Sequence, residues 1–181
     1  MDTSNYIGII ADDLTGANDT SLQFFLCGCK TQVAFGEDIS IDENLKTEVF
    51  AMSTETRNAQ PQTAIERVKN AAENILKKYG FEYIYKKIDS VLRGNIALEV
   101  LTLLEVLNLD AAVICPAFPN EGRTTIGGYH LVKGIPLQRT EVTRDPACPV
   151  TESNILNLLR NQITKDNSDI VELISLDTVM K

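Results

Sequence analysis

The chain has 181 residues and a formal net charge of −8, from 17 Lys and Arg against 25 Asp and Glu. Its length suits one domain, or one domain with part of a second, and 44% hydrophobic residues supply enough apolar material for a core, which excludes disordered and fibrous classes. The acidic balance disfavours nucleic acid as a partner, and no apolar run approaches the roughly 20 residues of a membrane helix, so we expect a cytoplasmic protein without a membrane or nucleic-acid partner.

Short apolar runs alternate with amphipathic segments along the first two thirds of the chain. Such runs are typical of buried parallel strands, whereas apolar residues at helical spacing between Pro or Gly punctuation indicate helices. The predicted elements are a strand at 6–11, a helix ending at Gly28, strands at 30–35 and 48–53 separated by an acidic loop at 37–48, a helix at 61–79, a strand at 83–88, a helix at 96–107 and a strand at 111–115. This alternation predicts an α/β fold: a three-layer, Rossmann-like domain with a mostly parallel sheet.

The pattern changes between residues 116 and 149, where Gly, Pro and Arg are frequent. Long irregular segments in compact domains are usually functional. Within this one, 129–132 and 135–138 predict a small hairpin insertion turning at Lys133 and Gly134. A helix at 151–163, capped by Thr151 or Ser153, and a final strand at 170–174 complete the prediction. Because the chain stops soon after a strand, we expect it to be part of a longer protein.

Metal chemistry is not expected. The four cysteines form no CxxC pair, and the chain has a single histidine, His130, without a histidine or cysteine near it in sequence. Zinc sites need such ligands at characteristic spacings. The sequence therefore predicts no metal site in this chain and favours a structural role for His130.

Three segments carry several polar side chains suited to binding or catalysis, and we call them loaded segments. The first follows the first predicted strand. Ligands of open α/β sheets collect beyond the carboxyl ends of the strands. There, the adjacent carboxylates of Asp12 and Asp13 suit hydroxyl binding, metal coordination or proton abstraction. The simpler alternative is that Asp13 or Thr15 only caps the following helix. A haloacid-dehalogenase-like phosphatase is disfavoured, because Leu14 stands where its second aspartate belongs.

A second loaded segment, KKIDSVLRGN, follows the strand at 83–88. Arg93 can bind a carboxylate through two hydrogen bonds, and the amides near Gly94 at a helix start favour an anion. Lys87 continues the apolar strand and is expected at the ligand edge of the sheet. The alternative is a solvated, charged turn with an Asp cap.

The third loaded segment surrounds Arg123. Gly122 and Gly127 have the spacing of P-loop glycines, but Gly128 and Tyr129 replace the required Lys and Ser or Thr, so no Walker A loop is present. Backbone amides at residues 123–125 remain candidates for holding an anion. The alternative is a proline-stiffened surface loop.

Together the three segments, in this order, resemble the N-terminal domain of the four-carbon acid sugar kinase family. They read ADDLTGAND, KKIDSVLRGN and CPAFPNEGRTTIGGYHLVKGIPLQRTEVTRDP, and the resemblance covers residues 6 to about 174. The KIDS-x-LRGN form resembles the D-threonate and D-erythronate kinase branch more than the 3-oxo-tetronate kinase branch.

The resemblance implies ATP-dependent phosphorylation of the terminal (C4) hydroxyl of a four-carbon sugar acid such as D-threonate or D-erythronate. In such kinases the N-terminal α/β domain mainly holds the acid, and the C-terminal one mainly holds ATP and Mg²⁺. We therefore expect residues 1–181 to be a single sugar-acid-binding domain that requires the missing nucleotide-binding domain, in cis or in trans, for turnover. Family members often self-associate, so a homo-oligomer fits the resemblance.

The resemblance also assigns roles to individual residues. Asp12 is the candidate catalytic residue, orienting or deprotonating the attacking hydroxyl, and Arg93 is the candidate for the substrate carboxylate. Arg123 is expected near the substrate or the transferred phosphate. The full set of expected substrate-binding residues is Asp12, Asp13, Lys87, Asp89, Ser90, Arg93, Gly94 and Arg123.

Two other interpretations remain open from the sequence. The chain could be a non-catalytic sugar-acid-binding module or remnant, or an unrelated Rossmann-like domain. The first is distinguished from a kinase half by whether a nucleotide-binding domain follows, in this chain or in an adjacent reading frame.

Overall fold

The structure is a computed structural model that describes residues 7–36, 39, 41, 47–163 and 170–180. It contains two compact units, one formed by residues 1–88 and 99–112 and the other by residues 89–98 and 113–181. In the part of the chain that the structure describes, no helix is long and apolar enough to span a membrane.

The first unit is built on a parallel sheet of four strands in the order β2-β3-β1-β4. The strands are β1 (Ile7–Ala11), β2 (Thr31–Ala34), β3 (Val49–Ser53) and β4 (Tyr83–Lys87). Ala11, at the end of β1, is in register with Ser53 of β3 and Lys87 of β4. The chain therefore leaves these three neighbouring strands at the same level, along the carboxyl edge of the sheet.

Helices cover both faces of this sheet, as alternation along the strands requires. On one face Ile9 and Ala11 pack with Ala17 of α1 (Leu14–Leu26). On the other face Ile10 packs with α2 (Pro61–Ala71), with the π-helix Ala72–Lys77 that continues it, and with Leu103 of α3 (Ile96–Leu107). The predicted α/β class and three-layer arrangement are confirmed in this unit.

The ends of the helices follow local chemistry. Asp13 caps α1 through its side chain, and Gly28, just beyond the helix, has a φ of +93° that a glycine adopts without strain. Pro61 opens α2 at the first turn, where its missing N–H is not needed. The helix predicted at 61–79 is present, but its second half is π-helical over Ala72–Lys77.

The second unit contains a small antiparallel sheet in the order β5-β6-β7. Its strands are β5 (Arg123–Ile126), β6 (Tyr129–Val132) and β7 (Ile135–Pro136), and its helices are α4 (Ile155–Gln162) and α5 (Leu176–Val179). Lys133 and Gly134, with φ of +50° and +78°, make the turn between β6 and β7. This is the predicted hairpin, and positive φ at both central residues suits the twist of the two strands.

Three predictions are corrected by the structure. The segments 111–115 and 170–174 form no strand and are mostly exposed, and α4 is capped by Asn154 rather than by Thr151 or Ser153. Apolar composition predicts burial in a sheet, but strand pairing is long-range and no local signal specifies a partner. Most of the loop predicted at 37–48, and the first residue of the strand predicted at 6–11, lie outside the described residues.

Candidate functional site

A cluster of two carboxylates and a guanidinium lies at the carboxyl ends of β1 and β3. Arg57 binds Asp12 through two hydrogen bonds, Nε to Oδ2 at 2.8 Å and Nη2 to Oδ1 at 3.1 Å, and its Nη1 also binds Oδ2 of Asp13. The Asp12 and Arg57 side chains are only 5% and 15% exposed. We call these three residues the Asp12–Arg57 cluster. A charge buried in this way requires its partner, so Arg57 fixes the orientation of Asp12.

Asp13 has two structural tasks at this point. Its Oδ1 accepts from the Gly16 amide at 2.7 Å and caps α1, while its Oδ2 binds Arg57. Capping therefore accounts for one oxygen of Asp13 and for neither oxygen of Asp12. Gly16 permits this packing, since a Cβ there would lie 2.8 Å from Oδ1 of Asp13 and 3.2 Å from Cγ of Lys87.

Arg57 is a site residue that the sequence argument missed. It follows β3, 45 residues after Asp12, in a segment without a recognisable motif. The available signal was a charged residue just beyond a buried strand, but only the strand order places β3 next to β1. Two backbone hydrogen bonds hold the segment of Arg57 beside Asp12: the amides of Thr56 and Arg57 donate to the Asp12 carbonyl at 2.9 and 3.1 Å.

Two lysines at the end of β4 have different surroundings. Lys86 forms an ion pair with Glu99, with Nζ 2.7 Å from Oε2, and both side chains are nearly fully buried. Lys87 Nζ donates to the Ile88 carbonyl at 2.7 Å, which uses one of the three N–H donors of the ammonium group. Lys86 is therefore structural, whereas Lys87, in register with the end of β1, is the lysine suited to a ligand.

In the second unit, the predicted carboxylate ligand Arg93 is held by two carboxylates of the protein. Asp89 accepts from Nε at 2.8 Å and from Nη2 at 3.1 Å, and Asp145 accepts from Nη1 at 3.1 Å. The hydrogen bonds that Arg93 donates to Asp89 raise the pKa of Arg93, so it stays protonated. The backbone amides of Cys148 and Ala147, which donate to Asp145, lower the pKa of that carboxyl, and Arg93 lowers it further.

The loop of residues 89–95 is secured at two further points in the same unit. The Ser90 carbonyl accepts from His130 Nε2 at 2.8 Å. The Gly94 carbonyl accepts from Gln162 Nε2 at 2.9 Å, and Gln162 Oε1 accepts from the Ala97 amide at 2.8 Å. The amide of Ala97, in the first turn of α3, therefore has its hydrogen-bond acceptor within the protein and does not need an anion.

Leu92, in the same loop, is buried with a φ of +63°, in the left-handed region that bulky residues avoid. Strained backbone of this kind persists only where its surroundings over-determine it, and it concentrates at ligand sites. The hydrogen bonds of the loop supply that constraint.

Arg123 is the first residue of strand β5. Residues 123–126 form β5, and the Arg123 amide donates to the Phe118 carbonyl at 3.0 Å. Successive amides of a strand point to opposite sides, so they do not converge on an anion as a phosphate-binding loop would. The amides of residues 123–125, which the sequence left as candidates for holding an anion, therefore form no converging cradle, because this segment pairs with β6. The Arg123 side chain bonds the carbonyl and the carboxylate of Glu121.

The predicted site residues thus fall into two groups, each within one unit. Asp12, Asp13 and Lys87 lie along the carboxyl edge of the parallel sheet. The others belong to the second unit, where Asp89, Ser90, Arg93 and Gly94 share one loop and Arg123 lies on β5. Among the described residues, no group of three or more His, Cys, Asp or Glu side chains could hold a metal ion.

The fold and these polar groups define the class of protein. A parallel sheet covered by helices, with a buried carboxylate and a half-buried one following a central strand, is an α/β domain of the kind in which ligands collect at the carboxyl edge. More particularly, the chain belongs to the family of sugar-binding N-terminal domains, whose model matches residues 7–181.

Proteins of similar sequence support the same family assignment. The chain is 39% identical over 177 residues to a D-erythronate kinase of Heliobacterium modesticaldum and 41% identical over 158 residues to a D-threonate kinase of Bordetella bronchiseptica, covering 96% and 85% of this chain. A 3-oxo-tetronate kinase of Brucella melitensis is 32% identical over 163 residues, covering 86% of this chain. The resemblance to four-carbon acid sugar kinases, and to the threonate and erythronate branch, is confirmed. The chain spans 36–39% of the length of these kinases.

Solved structures agree on the fold. A domain of unknown function from Bordetella bronchiseptica, a domain-swapped dimer with bound citrate, matches with a TM-score of 0.80 at 40% identity, covering 85% of this chain and 39% of that one. A Salmonella typhimurium protein described as a putative tRNA synthase also matches with a TM-score of 0.80, at 31% identity, covering 88% of this chain and 39% of that one.

Proposed function

We propose that this chain is the sugar-acid-binding part of an ATP-dependent kinase that phosphorylates the C4 hydroxyl of a four-carbon sugar acid such as D-threonate or D-erythronate. The observation that carries the proposal is the Asp12–Arg57 cluster at the carboxyl edge of the sheet. The names of the relatives supply the substrate class, and the citrate bound to the Bordetella protein supports a small carboxylate ligand.

In this proposal Asp12 orients the attacking hydroxyl and accepts its proton. Phosphoryl transfer depends mainly on positioning and charge neutralisation, so one carboxylate held near the nucleophile is chemically sufficient. Arg57 supports this role because its two hydrogen bonds to Asp12 fix the orientation of the carboxylate. Asp13 and Lys87 contribute hydroxyl and carboxylate contacts at the same edge. ATP and Mg²⁺ are assigned to the nucleotide-binding domain of the longer relatives.

Arg93 is proposed to bind the sugar-acid carboxylate, with Asp89, Ser90 and Gly94 beside it. A guanidinium has five N–H donors, of which Asp89 and Asp145 accept from three within the part of the chain that the structure describes. The sugar acid would use the others, and it would compete with Asp145 for Nη1. Arg123 remains the proposed neighbour of the substrate or of the transferred phosphate.

The test is calorimetric titration of the 181-residue chain with D-threonate, D-erythronate and MgATP separately. We expect sugar-acid binding without MgATP binding. Asp12→Asn and Arg93→Ala should weaken sugar-acid binding by about 10- to 150-fold each, because a hydrogen bond to a charged group contributes about 1.5–3 kcal/mol. Binding of MgATP without the acid would mean that the domain belongs to the other half of the reaction.

Two further variants separate direct binding by Arg93 from a structural role. Asp145→Asn leaves the Asp89–Arg93 pair intact and removes a competing carboxylate, so it should leave sugar-acid affinity unchanged or increase it. If Arg93 only holds the loop, Asp145→Asn will weaken binding instead. Arg139→Ala, at an exposed arginine of the same unit, is the matched control and should have no effect.

Turnover tests the kinase assignment. Addition of a separately expressed nucleotide-binding domain from a D-threonate kinase should restore ATP-dependent phosphorylation of the acid by the wild-type chain and not by Asp12→Asn. Sugar-acid binding without any turnover in such mixtures would favour the alternative, a non-catalytic binding module. Sedimentation of the same sample tests the proposed homo-oligomer.

A further inference from the structure

The segment that follows β3 carries a glutamate to which the mechanism proposed above gives no role. Glu55 is exposed, and its φ of +49° lies in the left-handed region that residues with long side chains avoid. A glycine or an asparagine would adopt this conformation at a lower cost. Strained backbone of this kind has to be held by its surroundings, and it concentrates at ligand sites.

Hydrogen bonds on both sides of Glu55 hold its backbone beside Asp12. The Thr54 amide donates to the Ala11 carbonyl at 2.9 Å, and the Thr56 amide donates to the Asp12 carbonyl at 2.9 Å. The Thr54 hydroxyl adds a further bond to the Ala11 carbonyl, also at 2.9 Å. The segment after β3 is therefore attached to the end of β1, and Glu55 lies at the carboxyl edge of the sheet.

The side chain of Glu55 is turned back toward the end of β3. The hydroxyl of Ser53, a residue that is 2% exposed, donates to Oε1 of Glu55 and accepts from the Glu55 amide at 3.4 Å. Arg67 of α2 donates to the Glu55 carbonyl at 2.8 Å. A carboxylate can accept at about four positions, and the Ser53 hydroxyl occupies one of them. The carboxylate is thus fixed at the sheet edge and can still accept from a ligand.

This carboxylate lies on the sheet face that α1 covers. Ser53 of β3, Ala11 of β1 and Lys87 of β4 are in register, so their side chains leave the sheet on the same face. On that face Ala11 packs with Ala17 of α1. Because neighbouring strands lie about 4.8 Å apart, Ser53 and Lys87 are separated by about 10 Å across β1. A carboxylate and an ammonium group therefore stand on opposite sides of the end of β1.

A sugar acid needs acceptors for its hydroxyl groups as well as donors for its carboxylate. The cationic side chains of the proposed site can only donate. Asp12 and Asp13 each use both carboxylate oxygens within the protein, on Arg57 and on the cap of α1. Of the three carboxylates at this edge, that of Glu55 has the most acceptor capacity left for a ligand.

We propose that Glu55 is a further binding residue of the sugar-acid site, and that its carboxylate accepts hydrogen bonds from the hydroxyl groups at C2 and C3 of the acid. The C4 hydroxyl is already assigned to Asp12, so these two are the remaining hydroxyl donors of the ligand. The inference rests on the proposed function, because it assigns a contact within the same site. It makes Glu55 a specificity-determining residue, since a site that accepts from a hydroxyl rejects an analogue without it.

The test is calorimetric titration with D-threonate and with two analogues of the same configuration. These are 2,4-dihydroxybutyrate, which lacks the C3 hydroxyl, and 3,4-dihydroxybutyrate, which lacks the C2 hydroxyl. The wild-type chain should prefer D-threonate to each analogue by about 10-fold or more. Glu55→Ala should weaken D-threonate binding by about 10- to 150-fold, as for the loss of a hydrogen bond to a charged group, and should bind all three ligands with similar affinity.

Two further variants separate ligand binding from support of the loop. Glu55→Gly relieves the backbone strain, so its urea midpoint should be at or above that of the wild type while D-threonate binding is weakened as in Glu55→Ala. Glu66→Ala, at an exposed glutamate of α2, is the matched control and should bind D-threonate like the wild type.

The outcomes separate this inference from the proposed function. If Glu55→Ala binds D-threonate as tightly as the wild type, the inference is overturned and the proposed function stands. An equal weakening of all three ligands, or a urea midpoint of Glu55→Gly that falls together with the affinity, also overturns it, because Glu55 would then only support the loop. If D-threonate and D-erythronate do not bind to the wild-type chain, the proposed function fails and the inference fails with it.

Discussion

Replacement of Arg57 by methionine removes the cation from the Asp12–Arg57 cluster while keeping most of the side-chain volume. Breaking a buried ion pair by deleting one partner typically costs about 3–5 kcal/mol, because the remaining charge is left uncompensated. Asp12, 5% exposed, carries most of this cost, whereas Asp13, 22% exposed, is partly solvated and contributes little. We therefore expect Arg57→Met to reduce the free energy of unfolding by about 4 kcal/mol.

Urea denaturation followed by circular dichroism measures this loss. With a urea m-value of about 2 kcal/mol/M, a loss of about 4 kcal/mol lowers the unfolding midpoint by about 2 M. Arg67→Met is the matched control. Arg67 is exposed and its described hydrogen bond goes to the Glu55 carbonyl at 2.8 Å, so its loss should stay below about 1 kcal/mol.

The double variant Arg57→Met/Asp12→Asn adds an internal check. In Arg57→Met the Asp12 carboxylate is left unpaired, and asparagine at position 12 removes that charge. The double variant should therefore be more stable than the sum of the two single changes predicts, by about 0.5–3 kcal/mol. Equal urea midpoints for Arg57→Met and Arg67→Met would refute the argument. They would show that water stabilises the carboxylates as well as the Arg57 guanidinium does.

Three further predictions concern other parts of the molecule. Gly16→Ala should lower the melting temperature although alanine is the better helix former by about 1 kcal/mol, because its Cβ would lie 2.8 Å from Oδ1 of Asp13; a higher melting temperature would show that the cap can move aside. Lys86→Met should cost about 3–5 kcal/mol in urea denaturation because Glu99 is buried, and Lys86→Met/Glu99→Leu should recover most of it; no recovery would mean that the pair is not the source of the loss. Stability should fall as the pH drops below 6.5, because the unfolded chain binds a proton at its histidine before the folded chain does, by at most about 1.4 kcal/mol per pH unit, and His130→Gln should remove this part of the slope; identical pH profiles for the two proteins would contradict it.

Local pattern predicted the framework of this protein well. The run that became β1 and the carboxylates of Asp12 and Asp13 just after it were both legible, because an apolar strand ending in adjacent acidic residues has few other interpretations in an α/β chain. Lys133 and Gly134 similarly marked the hairpin, since few turns place two residues at positive φ. Helix α3 was predicted with its observed bounds, 96–107, from apolar spacing alone.

Apolar composition gave wrong predictions where the pairing of strands had to be inferred. The runs at 111–115 and 170–174 have the residues of buried strands, yet neither forms one. Hydrophobicity states that a segment favours burial, whereas a strand also requires a partner backbone, and that partner is chosen by the whole sheet. The predicted cap of α4 was wrong for a more local reason. Good capping residues stand at Thr151, Ser153 and Asn154, and only the path of the chain selects Asn154.

The sequence by itself determined the α/β class, the order of most elements and the short segments that carry polar chemistry, because these depend on periodicity and on residues close together in the chain. Only the tertiary structure decided which charges meet. Arg57 reaches Asp12 across 45 positions, and Asp145 reaches Arg93 across 52. Such ion pairs are selected by strand order and loop path, to which distant residues contribute through packing, so no local pattern can encode them.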